Sequence, residues 1–445
     1  MEVEGWDMKN RRVWVIRAYC FFIGFYLLYL PDLSILIPGM KSSLLVMGFA
    51  FVHILVLGKT ILNYIRHTKL FTLVFSYVLA ALYLLFIIFL MKGQFNAVIS
   101  NITGIGQIIN FCAIGILLKR TGMDYKQMLS FLISLGVAQA VIVVIMIISP
   151  VAKEVANYLY LTPLGTGNIL RGVVVGRVYG ITADYTYMLP SVLSLIAVYA
   201  FVYAFVFKCY RYYGYCALIL LAALMNGRTG VYVFAGIIVL FVIYLAVRKY
   251  YPIRLTVLSG IAALTALFGA ALLFFFMPDK IQWVIGGFKD SLSVLGGQEH
   301  TGNMTTLAGQ MLFVPQGIGL LIGEGHRVFG MYGDVTVGAS SDIGYINDLF
   351  KGGILYYLLF YAPLFIFIIR QLLCKKDGVN NMLVHLCFAG SLLMIVFANY
   401  KGECMTGSGL IMCVVFLYMC VADLGNIKKY VGKGEMKTDE IHGKL

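Results

Sequence analysis

Four arginines stand in glycine-rich stretches where a backbone can approach a ligand closely. Arg171 and Arg177 lie in Leu170-Arg171-Gly172-Val-Val-Val-Gly176-Arg177-Val178-Tyr179-Gly180. Arg228 lies in Asn226-Gly227-Arg228-Thr229-Gly230, and Arg327 follows Gly323-Glu324-Gly325-His326. Lys401 closes Asn399-Tyr400-Lys401. A guanidinium presents a planar fork of donors, grips phosphate oxygens in pairs and never loses its charge. Several such forks at one face suit a diphosphate. The plainer reading of each is an ion pair with a nearby acid or a lipid headgroup, and it fits Arg177 and Arg228 least, because both are packed beside glycines. Asp342, in Ser341-Asp342-Ile343-Gly344-Tyr345, is a candidate to accept a hydroxyl proton or to hold an acceptor hydroxyl in place. Ser341 or Asp342 would serve equally well as a helix N-cap. His326 is a reserve base, although a loop histidine is more often simply solvated.

Other chemistries find no support. Gly58-Lys59-Thr60 resembles the end of a phosphate loop, but the leading glycine of that motif is His53 here. No H-E-x-x-H, calcium-loop or D-x-D pattern occurs, so neither a metal nor a nucleotide-sugar donor is expected, and no cofactor is implied. The nine cysteines lie in or beside apolar runs without a C-x-x-C pair, the pattern of small buried residues and not of a disulfide framework. Acids are absent from mid-span positions, with Asp348 and Asp423 near span ends, which disfavours an ion-coupled transporter. Arg17 is the one clear intramembrane cation, close enough to a span end to snorkel as an anchor.

The elements that position these residues follow from composition. Of 445 residues, 61% are apolar or aromatic and 12% charged, against about 45–50% and about 25% in soluble domains. A soluble enzyme, a disordered chain and a single-span anchored protein are excluded. The first apolar run is long and lacks a small-residue cleavage site, so it reads as a retained span and not a signal peptide. The apolar runs predict about twelve helical spans, near 13–30, 42–58, 70–91, 98–118, 128–149, 187–207, 213–226, 229–247, 255–277, 345–370, 382–400 and 406–424. The chain is thus an all-α, single membrane domain over 1–445, with a basic tail over 425–445.

Net charge is +14. The excess falls on alternate connections, among them Lys9-Asn10-Arg11-Arg12, Lys119-Arg120, Arg248-Lys249, Lys375-Lys376 and the tail lysines. Positive connections stay cytoplasmic, which places both termini inside and gives no reason to invoke nucleic acid. The cytoplasmic connections are short. Two long connections, 150–186 and 278–344, face outward, and loops of that length are usually functional or disordered. Function is therefore expected on the extracytoplasmic face, where the candidate arginines lie.

The ordered set Gly176-Arg177-Val-Tyr-Gly180, Asn226-Gly-Arg228-Thr-Gly230, Gly323-x-Gly325, Ser341-Asp342-x-Gly-Tyr345 and Lys351-Gly-Gly353 resembles the Wzy-type polysaccharide polymerases, relatives of the O-antigen ligases. The resemblance covers most of the chain. The ligases typically carry a histidine near the position of Ser341-Asp342, and its absence here favours polymerase over ligase. The family's arginine-x-glycine spacing occurs between Arg327 and Gly338 and is not reproduced in 150–186, which leaves the choice between Arg171 and Arg177 open.

The resemblance implies a metal-independent membrane glycosyltransferase, similar to the lipid-donor (GT-C-like) enzymes, in a bacterial cytoplasmic membrane. It would join undecaprenyl-diphosphate-linked repeat units into O-antigen, capsule or exopolysaccharide. Arg177 and Arg228 would hold the leaving diphosphate, with Arg171, Arg327, Lys401 and Tyr345 as further binding groups. Asp342 would act on the acceptor hydroxyl, with His326 in reserve. Partners would be lipid-linked oligosaccharides, membrane lipids, a chain-length regulator and a flippase. The alternatives are a ligase or, outside the enzymes, a lipid-linked oligosaccharide flippase or exporter.

Overall fold

The structure, a computed structural model, describes residues 2–38, 40–160, 177–182, 188–247, 285–286, 311–328, 340–374, 379–405 and 409–421. The described residues are helical with short connections, and no strand occurs among them. Helices α1 (Glu2–Tyr29), α2 (Ser42–Arg66), α3 (Leu70–Met91), α4 (Asn96–Arg120) and α5 (Tyr125–Ile148) follow in close succession, then the shorter α6 (Pro150–Tyr160). Next come α7 (Met188–Phe207), α8 (Arg211–Asn226) and α9 (Arg228–Val247). After α10 (Ile318–Ile322) the chain closes with α11 (Gly344–Tyr356), α12 (Ala362–Leu373), α13 (Asn381–Lys401) and α14 (Gly409–Val421).

Among the described residues, nine helices are long and apolar enough to cross a membrane, with α11 and α12 forming one span over Gly344–Leu373. The chain is a polytopic α-helical membrane protein. Eleven of the twelve expected spans coincide with helices, α3 to the residue. Two of these, α8 with 16 residues and α14 with 13, are apolar but shorter than the nine. The apolar run 255–277, most of the connection 278–344 and the tail 425–445 lie outside the described residues. The connection 150–186 does not begin as a loop: it opens with α6. Pro150 occupies the first helical position, where its missing N–H costs nothing, and the Ala152 N–H donates to Ser149 Oγ at 3.3 Å.

Helix α7 is the axis of the bundle, 94% buried and packed by α8, α9, α13, α5 and α14. Intramembrane polar groups join helices elsewhere, as expected where hydrocarbon offers no alternative partner. Asn110 of α4 donates to the Val46 carbonyl at 2.9 Å and meets His53 of α2 at 2.7 Å. His53 in turn meets Tyr19 of α1 at 2.9 Å. Arg17 is an anchor: its guanidinium donates to Thr121 Oγ1 and to the Thr121 carbonyl, at 3.2 and 3.1 Å, tying α1 to the end of α4.

The Gly344–Leu373 span is broken. Gly353 adopts φ 63°, ψ −165°, and a π turn over Tyr357–Tyr361 follows. The kink withdraws carbonyls from the helical ladder at a depth where water cannot serve them. The Gly323–Gly325 segment takes them up: the Glu324 N–H donates to the Phe350 carbonyl at 2.7 Å and the Gly325 N–H to that of Lys351 at 3.2 Å. Tyr83 donates to the Ile322 and Gly352 carbonyls at 2.9 and 3.1 Å. The approach tolerates no side chain, since a Cβ on Gly323 would stand 2.4 Å from Gly352 Cα and one on Gly353 2.4 Å from the Leu321 oxygen. Two glycine motifs that look like ligand loops in the sequence are therefore partners of one another.

Candidate functional site

Four of the expected site residues converge where α9 and α11 begin and α13 ends. Arg177 arrives on an extended segment pinned from three sides. The Val178 N–H donates to the Met225 carbonyl at the end of α8, at 3.2 Å. Gln139 of α5 donates to the Tyr179 carbonyl at 3.1 Å and accepts from the Ile181 N–H at 3.3 Å. Thr182 donates to the Tyr29 carbonyl at 2.8 Å. Gly180 makes this possible: its φ is 70°, and a Cβ would lie 2.6 Å from the Gln139 amide nitrogen. Arg171 and Gly176 lie outside the described residues.

Arg228 is the first residue of α9, set off from α8 by the extended Gly227. Gly230 lets that first turn settle on α7, with only 2.3 Å between an added Cβ and the Pro190 oxygen. Lys401 is the last residue of α13. Gly344 packs against the turn beyond it, where a Cβ would meet Asn399 Oδ1 at 2.5 Å and the Gly402 oxygen at 2.7 Å. This brings Asp342 alongside. The ammonium of Lys401 lies in the field of the Asp342 carboxylate and of both the Arg177 and Arg228 guanidinium groups. Lys401 thus has one carboxylate and two guanidinium groups about it, all four residues half-buried, and both arginines make further contacts in the fold.

Asp342 does not cap α11, nor does Ser341. The N-cap is Ile343, without a side-chain bond to the helix. Ser341 instead donates to the Met311 carbonyl at 2.8 Å and accepts from the Ile343 N–H at 3.2 Å. Asn347 completes this corner, accepting from the Val328 N–H at 3.0 Å and donating to the Ser341 carbonyl at 2.8 Å. The re-entry is held rigidly by its neighbours, which leaves the Asp342 carboxylate outside the capping role.

Arg327 occupies a second, adjacent cluster. Its Nε donates to Glu403 Oε2 at 2.7 Å and its Nη2 to the same oxygen. Glu403 also pairs with Lys351, which pairs with Asp348. Tyr361 donates to Asp348, and Asn399 donates to the Tyr361 hydroxyl at 2.8 Å. Lys351 and Asp348 are fully buried and Glu403 is 5% exposed. Burial alone would raise the Glu403 carboxyl, but the charges of Arg327 and Lys351 and their hydrogen bonds outweigh it and hold it at about 2. Neither Glu403 nor Lys351 is among the expected site residues. For Lys351 a signal exists in Asp348-x-x-Lys351, an i,i+3 pair inside an apolar helix.

Tyr345 donates to the Val396 carbonyl at 3.0 Å, joining α11 to α13. His326 stands with Nδ1 3.3 Å from the Glu324 carbonyl oxygen and its ring against Phe350. All nine cysteines are free thiols, and seven are buried. Among the described residues no three His, Cys, Asp or Glu side chains are grouped to hold a metal ion. No family model, curated protein or solved structure matches the chain.

Proposed function

We propose that this protein is a polysaccharide polymerase that joins lipid-diphosphate-linked oligosaccharide repeat units at the outer face of a bacterial cytoplasmic membrane. The observation that carries the reading is the meeting of Asp342, Arg177 and Arg228 about Lys401, where α9 and α11 begin and α13 ends. Those residues come from four separate stretches of chain, and the stretches of Arg177, Arg228 and Asp342 are among the motifs that resemble the Wzy-type polymerases. The acceptor hydroxyl attacks the anomeric carbon of the donor, forming a glycosidic bond as the bond to the lipid diphosphate breaks. Asp342 takes the hydroxyl proton. Arg177, Arg228 and Lys401 stabilise the charge that develops on the departing diphosphate, the kind of preorganised electrostatics that usually dominates catalysis. Arg327 supports the site from its pair with Glu403.

Deleting the gene tests this reading. Single repeat units should accumulate on the lipid carrier at the outer leaflet. Repeat units trapped on the cytoplasmic leaflet would instead identify a flippase, and full-length chains left on the carrier a ligase.

A further inference from the structure

Asn226 is fully buried, and neither its Oδ1 nor its Nδ2 has a hydrogen-bond partner. This is not how the fold treats its other buried carboxamides. Gln139, Asn110, Asn347 and Asn399 use both ends, while Asn101 and Gln107 use one. Among the described buried carboxamides, Asn226 alone is orphaned at both. The Ser194 hydroxyl is also buried without a partner. It packs on Gly230, where an added Cβ would stand 2.8 Å away. The turn that carries Arg228 is therefore flanked on both sides by polar atoms that the protein leaves unserved. Buried polar groups are nearly always paired, and an exception in a native fold calls for a cause.

We infer that Asn226 reads the sugar next to the diphosphate of the lipid-linked substrate; this rests on the function proposed above. A carboxamide presents a donor and an acceptor on neighbouring atoms in one plane. Ionised diphosphate oxygens only accept, so they satisfy Nδ2 and oppose Oδ1. Two vicinal sugar hydroxyls satisfy both: one donates to Oδ1 and the other accepts from Nδ2. The order along the chain matches the order along the ligand, with the sugar reader at 226, a glycine spacer in extended backbone at 227 and the phosphate fork at 228. Asn226 is fully buried in this state, so the sugar reaches it only after a local opening of the turn between α8 and α9.

The test uses the full-length protein in detergent and two probes: undecaprenyl diphosphate, and the lipid-linked repeat unit extracted from cells lacking the gene. Wild type should bind the repeat unit about tenfold more tightly than the bare diphosphate, as two added hydrogen bonds allow. Asn226→Leu, close in size, should abolish that gap, keep the affinity for the bare diphosphate, and melt at the same or a higher temperature because it removes two orphaned groups. Arg228→Lys should weaken both probes together. An Asn226→Leu protein that keeps the gap overturns the inference. So does one that melts clearly lower, because the carboxamide is then a structural group served by buried water. If wild type binds neither probe, or the cells hold no lipid-linked repeat unit, the proposed function itself fails.

Discussion

Glu403→Gln isolates the charge that ties the large connection to the broken helix. The carboxyl is 5% exposed, so solvent screening does little to reduce its interactions. Held at about 2 instead of 4.5, it contributes on the order of 3 kcal/mol to folded-state stability. That agrees with the roughly 3–5 kcal/mol expected when one partner of a buried pair is removed. The folded-state value is depressed, so the contribution is complete above pH 4.5 and is lost as the pH falls toward about 2. Thermal melts of purified wild type and Glu403→Gln, followed by light scattering across pH, should differ by several degrees at pH 7. The difference should shrink steadily below about pH 4.5. Equal melting temperatures at pH 7, or a gap that ignores pH down to 3, would refute the assignment of Glu403 as the ionised centre of this cluster.

Lys351→Met should destabilise more than Glu403→Gln, because it leaves both Asp348 and Glu403 buried without their shared cation; the same melts decide the order. Gly353→Ala should collapse membrane levels, since φ 63° and the Leu321 oxygen leave no place for a methyl group, whereas Gly48→Ala, with open space around it, should express normally. Arg177→Lys and Arg228→Lys keep charge but lose the fork. Each should reduce the polymerisation rate about ten- to a hundredfold at normal protein levels, from roughly 1.5–3 kcal/mol per charged hydrogen bond. Arg17→Lys, in α1 against Thr121 beyond the end of α4, should leave polymerisation intact, as gel analysis of surface polysaccharide will show.

Most of the helices were legible because hydrocarbon forces apolar runs into helices, and the run lengths alone place α3 and bring α7, α9 and α13 close to their true bounds, while α2 runs eight residues past its expected end. The convergence of Arg177, Arg228, Asp342 and Lys401 was legible only as a shared membrane face. Distances between loops depend on contacts such as Gln139 with the 179–181 segment, which no local pattern announces. The Gly323-x-Gly325 and Lys351-Gly352-Gly353 motifs were visible, but their meaning was not. Gly323 and Gly353 are small because the backbone of the other segment lies against each, a reason that appears only once both are in place. Glu403 was silent because a single acid in a short turn has no pattern at all. Its significance comes from Lys351 and Arg327, distant in sequence and adjacent in space.

The proposed function is glycosidic bond formation between lipid-linked repeat units. The most direct measurement reconstitutes the purified protein in liposomes with the lipid-linked repeat unit and excess chelator, then resolves the products on a gel and assays released lipid diphosphate. A ladder of polymers still attached to lipid is expected, with one lipid diphosphate released per bond formed, and both signals should be lost in the Arg177→Lys, Arg228→Lys double variant. Movement of repeat units across the bilayer without chain growth, or a ladder that forms only when magnesium or manganese is restored, would contradict it.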